Sequence, residues 1–151
     1  MHAAADGFYG VYASLPRGGG IPDDQTLARY APYLAPDLDS LLHQAQTAED
    51  RFTKDHLDSP PLIEGDLFSS LFEGATSVTV GACTDDGQKG SCAVQMVHSE
   101  PLREPVTWTD TVQLVNTAQG WRVSDIVYGG TWAFGNKGTL TATLHEVLSF
   151  Q

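Results

Sequence analysis

Two acids stand where they could do chemistry. In Val106-Thr107-Trp108-Thr109-Asp110-Thr111-Val112, strict alternation places Asp110 on the sheet face of Trp108, Val112 and Leu114. In Trp121-Arg122-Val123-Ser124-Asp125-Ile126-Val127, the same rule places Asp125 with Trp121, Val123 and Val127. Two such carboxylates meeting inside a concave pocket would form an acid–base pair, with burial raising a carboxyl pKa towards a working range. The competing reading is that each acid sits at the sheet rim or accepts hydrogen bonds from Tyr, Trp or backbone groups.

A second constellation is acidic and aromatic. Glu64, Asp66 and Glu73 surround Leu67-Phe68-Ser69-Ser70-Leu71-Phe72, and exposed aromatic rings beside charge make a protein-binding edge. Trp108 is a further candidate binding residue. Against this, Asp66 is placed to cap a helical turn, and Phe68, Leu71 and Phe72 are of the type that belongs in a core.

Other chemistries find no footing. His43, His56, His98 and His145 have no metal-ligand spacing, so neither a metal nor another cofactor is expected. Gly18-Gly19-Gly20 lacks the Lys-Ser/Thr pair of a phosphate loop and reads as a connection. Ser69 and Ser70 lack the Gly-x-Ser-x-Gly elbow of a nucleophile. Cys83 and Cys92 lie on either side of Asp85-Asp86-Gly87 and Gly90, beside strand-like runs. If those runs pair as a hairpin, the two cysteines face one another as a disulfide, which implies the periplasm or the cell exterior. Two unrelated buried thiols are the alternative.

The elements that must position these residues follow from periodicity. Phe8, Val11, Tyr12 and Leu15 share a helical face, with Asp6 as cap and Pro16 as stop. After Arg17 to Pro22, Asp23 or Asp24 caps a second helix carrying Leu27, Tyr30 and Leu34, which Pro32 limits. A longer helix runs from Pro36 through Leu38, Leu41, Leu42, Ala45, Ala48 and Phe52. The stretch Leu67 to Phe72 reads as one or two helical turns between Gly65 and Gly74. Alternation then sets in at Val78, Val80 and Ala82, resumes at Val94 and Met96, and continues through Val106 to Leu114 and Trp121 to Val127. Thr139 caps a terminal helix with Leu140, Leu144, Val147 and Leu148.

Helices followed by four consecutive antiparallel strands and a last helix predict an α+β domain. The expected architecture is N-terminal helices packed on a curved four-stranded sheet, the cone-shaped nuclear transport factor 2-like arrangement. A length of 151 residues predicts a single domain, with residues 1–5 a disordered remnant of a cleavage site.

Charge excludes one class of partner. The net charge is -11, and residues 1–74 hold 12 of the 19 Asp and Glu against four of the eight Lys and Arg. Nucleic-acid phosphates and anionic membranes need clustered cations and are disfavoured. A cationic protein partner would be drawn to such a field, although the same charge also serves solubility.

Pro60-Pro61-Leu62-Ile63-Glu64-Gly65-Asp66-Leu67-Phe68-Ser69-Ser70-Leu71-Phe72-Glu73-Gly74-Ala75, the two tryptophan strands around Trp108 and Trp121, and Phe8-Tyr9-Gly10-Val11-Tyr12 together resemble the YbjP/YqhG-type family of uncharacterised bacterial envelope proteins. The resemblance spans nearly the whole chain. It implies a nuclear transport factor 2-like fold and an envelope location, and carries over no catalytic residue. The lipid-anchored cysteine frequent in that family is absent here. The leading expectation is a non-enzymatic periplasmic binding protein, an inhibitor or immunity-type factor for a cationic envelope-acting enzyme. The alternative is a small-ligand pocket or an acid–base enzyme using Asp110 and Asp125.

Overall fold

The computed structural model describes residues 1–16 and 19–149; Arg17 and Gly18, part of the expected connection after the first helix, lie outside the described residues, as do Phe150 and Gln151. The chain is α+β, with α1 His2–Ser14, α2 Asp24–Tyr30, a 3-10 turn Ala31–Tyr33, α3 Pro36–Asp55, four strands, and α4 Leu140–Ser149. The strands β1 Ser77–Asp85, β2 Lys89–His98, β3 Val106–Thr117 and β4 Gly120–Val127 form one open antiparallel sheet in sequence order.

The helix ends follow local chemistry. Asp23 accepts from the Thr26 amide at 2.8 Å and starts α2. Pro36 begins α3, whose first turn carries Asp37 and Asp39 where the helix dipole favours negative charge. The Thr139 hydroxyl accepts from the Ala142 amide and caps α4. Residues 2–5, expected to be disordered, belong instead to α1; Ala5 is fully buried, so packing against the core orders this first turn. Asp6 consequently lies inside the helix, where it pairs with His2.

One sheet face carries the core. Cys92, Val94 and Met96 on β2, Trp108, Val112 and Leu114 on β3, and Val123 and Ile126 on β4 are all buried, and Phe8, Leu27, Tyr30, Leu38, Leu42, Leu140 and Leu144 of the helices join the same cluster. Residues 34–35 cover the β4 edge, with the Ala35 amide donating to the Val123 carbonyl at 2.8 Å.

Two register shifts break the alternation. In β1, Val80 pairs with Val94 but Cys83 pairs with Cys92, so an extra residue is accommodated at Gly81-Ala82. Without it Cys83 would share parity with the exposed Thr79. The shift turns it towards the buried Cys92, and the Cys83–Cys92 disulfide forms across the pair. In β4, Leu114 pairs with Val123 and Gln113 with Asp125, leaving Ser124 as the extra residue.

Closing so short a loop constrains the unfolded chain modestly. Replacing both cysteines by serine is expected to lower unfolding free energy by about 2–3 kcal/mol, measured by urea titration, with the fold retained.

Candidate functional site

The segment between Gly65 and Gly74 is the centre of the site, and it is not helical. Its apolar spacing suggested helical turns, but side chains capture its backbone groups first. Asp66 accepts from the Phe68 amide at 3.2 Å, the Ser69 hydroxyl at 2.5 Å and the Tyr12 hydroxyl at 2.6 Å. The Asp66 amide donates to the Phe72 carbonyl at 2.9 Å, folding the segment back on itself. From the other side, the Asn136 side-chain amide donates to the carbonyls of Asp66 and Ser69, and its backbone amide donates to Ser70. Tyr128 donates to the Leu67 carbonyl at 2.6 Å. Asp66 is thus the hub of a loop rather than a helix cap. The segment's exit is tied down by His98, whose Nδ1 meets the Gly74 carbonyl at 2.7 Å while Nε2 meets Glu100 at 2.8 Å.

Asp110 does face the interior, where it is fully buried. Its carboxylate accepts from the Ser70 amide at 3.0 Å, the Ser70 hydroxyl at 2.5 Å and the Gly129 amide at 2.7 Å. The Ser70 hydroxyl in turn accepts from Gly130 at 2.9 Å. A Cβ at Gly129 would lie 1.9 Å from the Thr109 carbonyl, so only glycine permits this approach. The donors to the carboxylate among the described residues are two backbone amides and the Ser70 hydroxyl, so its contacts hold the fold together.

Asp125 does not join it. Strict alternation placed both acids on one face, but the extra residue Ser124 turns Asp125 to the opposite face, beside Gln113. There it accepts from the Thr141 amide at 3.0 Å and the Thr141 hydroxyl at 2.8 Å, securing the first turn of α4. Trp108 is buried on the inner face, edge-on to Trp132 at 5.2 Å, and lies apart from the acidic segment's cleft.

Glu64, Asp66 and Glu73 do come together, on the wall of a cleft of about 730 Å³ between the end of α1, the start of α2 and the looped segment. Asp23, Tyr12, Tyr30, Phe68 and Phe72 also line it. Its lining contains no Lys or Arg among the described residues. Phe68 is buried as expected for a core residue, whereas Phe72, whose ring lies against Gly65, is 48% exposed. Gly19 and Gly20 close one side; a Cβ on Gly19 would fall 1.9 Å from the Glu64 carbonyl, and the Gly20 amide donates to Gly65 at 2.9 Å.

Burial sets the electrostatics of the floor. Desolvation, more than the charge of Asp66, pushes the ionisation of Tyr12 and Tyr30 far above the ordinary tyrosine value. Desolvation also holds the Asp66 carboxyl above its usual 3.8, against the opposing hydrogen bonds from Ser69 and Tyr12. The Tyr30 hydroxyl is fully buried and has no hydrogen-bond partner among the described residues.

The residues that sequence reasoning missed are Tyr12, Ser69, Ser70, Tyr128, Gly129, Gly130 and Asn136. The available signal was Asp-x-x-Ser-Ser flanked by glycines, a composition that favours side-chain-to-backbone turns over helix. No group of three or more His, Cys, Asp or Glu able to hold a metal ion occurs among the described residues. No family model, curated protein or solved structure matches the chain.

Two outcomes follow for stability. Asp110→Ala leaves the buried Ser70 amide, and the Gly129 amide beside it, without their acceptor and is expected to cost about 3 kcal/mol or more, while Asp125→Ala costs about 1 kcal/mol as a lost helix-start contact; urea unfolding ranks them. The folded chain also binds the Asp66 proton more tightly than the unfolded chain does. Asp66 therefore makes stability fall as pH rises from about 4 through its raised folded value. Asp66→Asn should flatten that part of the stability–pH curve, read from urea midpoints; an unchanged slope would contradict the assignment.

Proposed function

We propose that this chain is a non-enzymatic binding protein of the periplasm or cell exterior, built on a nuclear transport factor 2-like fold, which engages a cationic protein as an inhibitor or immunity-type factor would. The observation that carries this reading is the cleft lined by Asp23, Glu64, Asp66 and Glu73. It lies in the half of the chain that holds most of the acidic excess. Acids concentrated around a concave surface steer a basic partner and fix its register.

Supporting features lie elsewhere in the chain. The two acids considered for catalysis are engaged in holding backbone, which takes away the basis of the acid–base alternative. The Cys83–Cys92 disulfide suits an oxidising compartment, and no described helix is long and apolar enough to cross a membrane. The resemblance to the YbjP/YqhG-type envelope proteins points the same way. A small ligand in the same cleft is the second reading, favoured by a volume within the range of ligand pockets.

The test is retention of a basic protein from periplasmic extract on the immobilised chain, followed by salt and by substitution. Glu64→Gln combined with Glu73→Gln is expected to weaken the retained partner by roughly fivefold, with weaker binding as salt rises. Asp85→Asn with Asp86→Asn, on the β1–β2 turn, should leave it unchanged. Retention of apolar small molecules with no protein would contradict the reading.

A further inference from the structure

We propose that His98 is a proton-operated clasp: while its ring carries both protons it holds the carboxylate of Glu100, and with it the strained turn that displays Leu102, and loss of one proton lets that turn relax. The clasp stands at the end of β2 and does not rest on the partner reading above.

The first argument is a count of protons. His98 is buried, and both of its ring nitrogens meet oxygen: Nδ1 the Gly74 carbonyl at 2.7 Å and Nε2 the Glu100 carboxylate at 2.8 Å. Neither oxygen has a proton to give. A neutral imidazole donates from one nitrogen and accepts at the other, so it would set a lone pair against one of these oxygens at hydrogen-bond distance. Imidazolium donates from both nitrogens and satisfies both contacts. The other oxygen of Glu100 stands 3.6 Å from the Arg103 guanidinium, so the carboxylate lies between that cation and the ring.

Burial decides which contact fails when a proton leaves. Gly74 is buried, and unpairing its carbonyl would cost the desolvation of that group. Glu100 is part-exposed, can turn to water and keeps Arg103. The neutral ring therefore keeps its remaining proton on Nδ1 and turns a lone pair towards Glu100. Its neighbours across the sheet, Thr76 and Ser77 at the start of β1 and Val106 of β3, carry no titratable group. Asp66 and Tyr12 lie against Gly74 and are bonded to each other, while Glu73 and Glu104 are exposed beside Gly74 and Arg103.

The second argument is strain. Glu100-Pro101-Leu102-Arg103 forms a type II turn: the Arg103 amide donates to the Glu100 carbonyl at 3.3 Å, Pro101 takes the second position and Leu102 has a φ of 66°. That third position favours glycine, and Leu102 is the one non-glycine residue with positive φ among the described residues. Packing does not compensate it, because its side chain is fully exposed. A strained conformation persists only where its surroundings over-determine it. Here Glu100 and Arg103 pair across the turn, and Glu100 is fixed to the sheet through His98. Removing the proton releases the turn at its base, and Leu102 returns to negative φ.

The experiment is an NMR titration of the isotopically labelled full chain from about pH 5, where histidine is charged, upwards until the His98 ring is neutral. Ring nitrogen shifts report the protons on His98, and the intraresidue HN–Hα NOE of Leu102, strong only at positive φ, reports the turn. At the acid end both ring nitrogens are expected to be protonated and the NOE strong. As Nε2 loses its proton and Nδ1 keeps its own, the positive-φ population should fall roughly threefold or more, with the same midpoint as the ring. Glu100→Gln leaves the ring's contact with Gly74 in place and should uncouple the turn from the ring, because the Gln amide pairs with Nε2 in either state. Leu102→Gly, which adopts positive φ without strain, should keep the Arg103 amide shift constant across the range. A ring that carries one proton throughout, or a Leu102 NOE unchanged after Nε2 has lost its proton, would overturn the clasp. So would a Glu100→Gln chain whose turn still follows the ring.

Discussion

The carboxylate of Asp110 is the interaction on which the rest of the structure depends. It is fully buried on the inner face of the sheet and holds Ser70 twice and Gly129 once. Those contacts join three parts of the chain that are far apart in sequence: the looped segment, the central strand β3 and the connection into α4. A buried charge is tolerated only when hydrogen bonds replace water, and here the backbone of two loops supplies them. In return the loops acquire a fixed position. Asp66 repeats the device closer to the surface, binding Tyr12 of α1 to the same segment. The outer wall of the cleft is therefore as well defined as its strands and helices, although it has no regular secondary structure.

The two register shifts have matching roles on either side of this anchor. The one at Gly81-Ala82 brings Cys83 opposite Cys92, and the one at Ser124 turns Asp125 out to α4. An irregularity of one residue changes which face every later side chain occupies. In β1 this makes a covalent link possible. In β4 it separates two acids that regular alternation would have put together, and so turns a possible catalytic pair into two structural contacts.

Much of the fold was legible in the sequence because it depends on periodicity. The helical faces of Leu38, Leu41, Leu42 and Ala45, and the alternation of Trp108, Val112 and Leu114, fix helix and strand without reference to anything distant. The inward direction of Asp110 followed from the same alternation. What was not legible depends on insertions and long-range hydrogen bonds. Nothing in Val123-Ser124-Asp125-Ile126 marks Ser124 as the extra residue, because either serine or aspartate fits a regular strand. Leu67-Phe68-Ser69-Ser70-Leu71-Phe72 has spacing acceptable to a helix, and only the partners at Tyr12, Asp110, Tyr128 and Asn136 make the loop preferable. The acidic cluster of Glu64, Asp66 and Glu73 was visible, but the cleft it lines appears only once Gly19 and Gly20 are seated against Glu64 and Gly65.

The central claim is that the buried carboxylate of Asp110 is a fixed anchor that holds the looped segment and the connection into α4 in place. Native-state amide hydrogen exchange at Ser70 and Gly129 tests it most directly. The account predicts that both amides, which donate to Asp110, exchange only through global unfolding, as slowly as Val112 in the centre of β3. Exchange at the rate of an open loop, with β3 still protected, would contradict it.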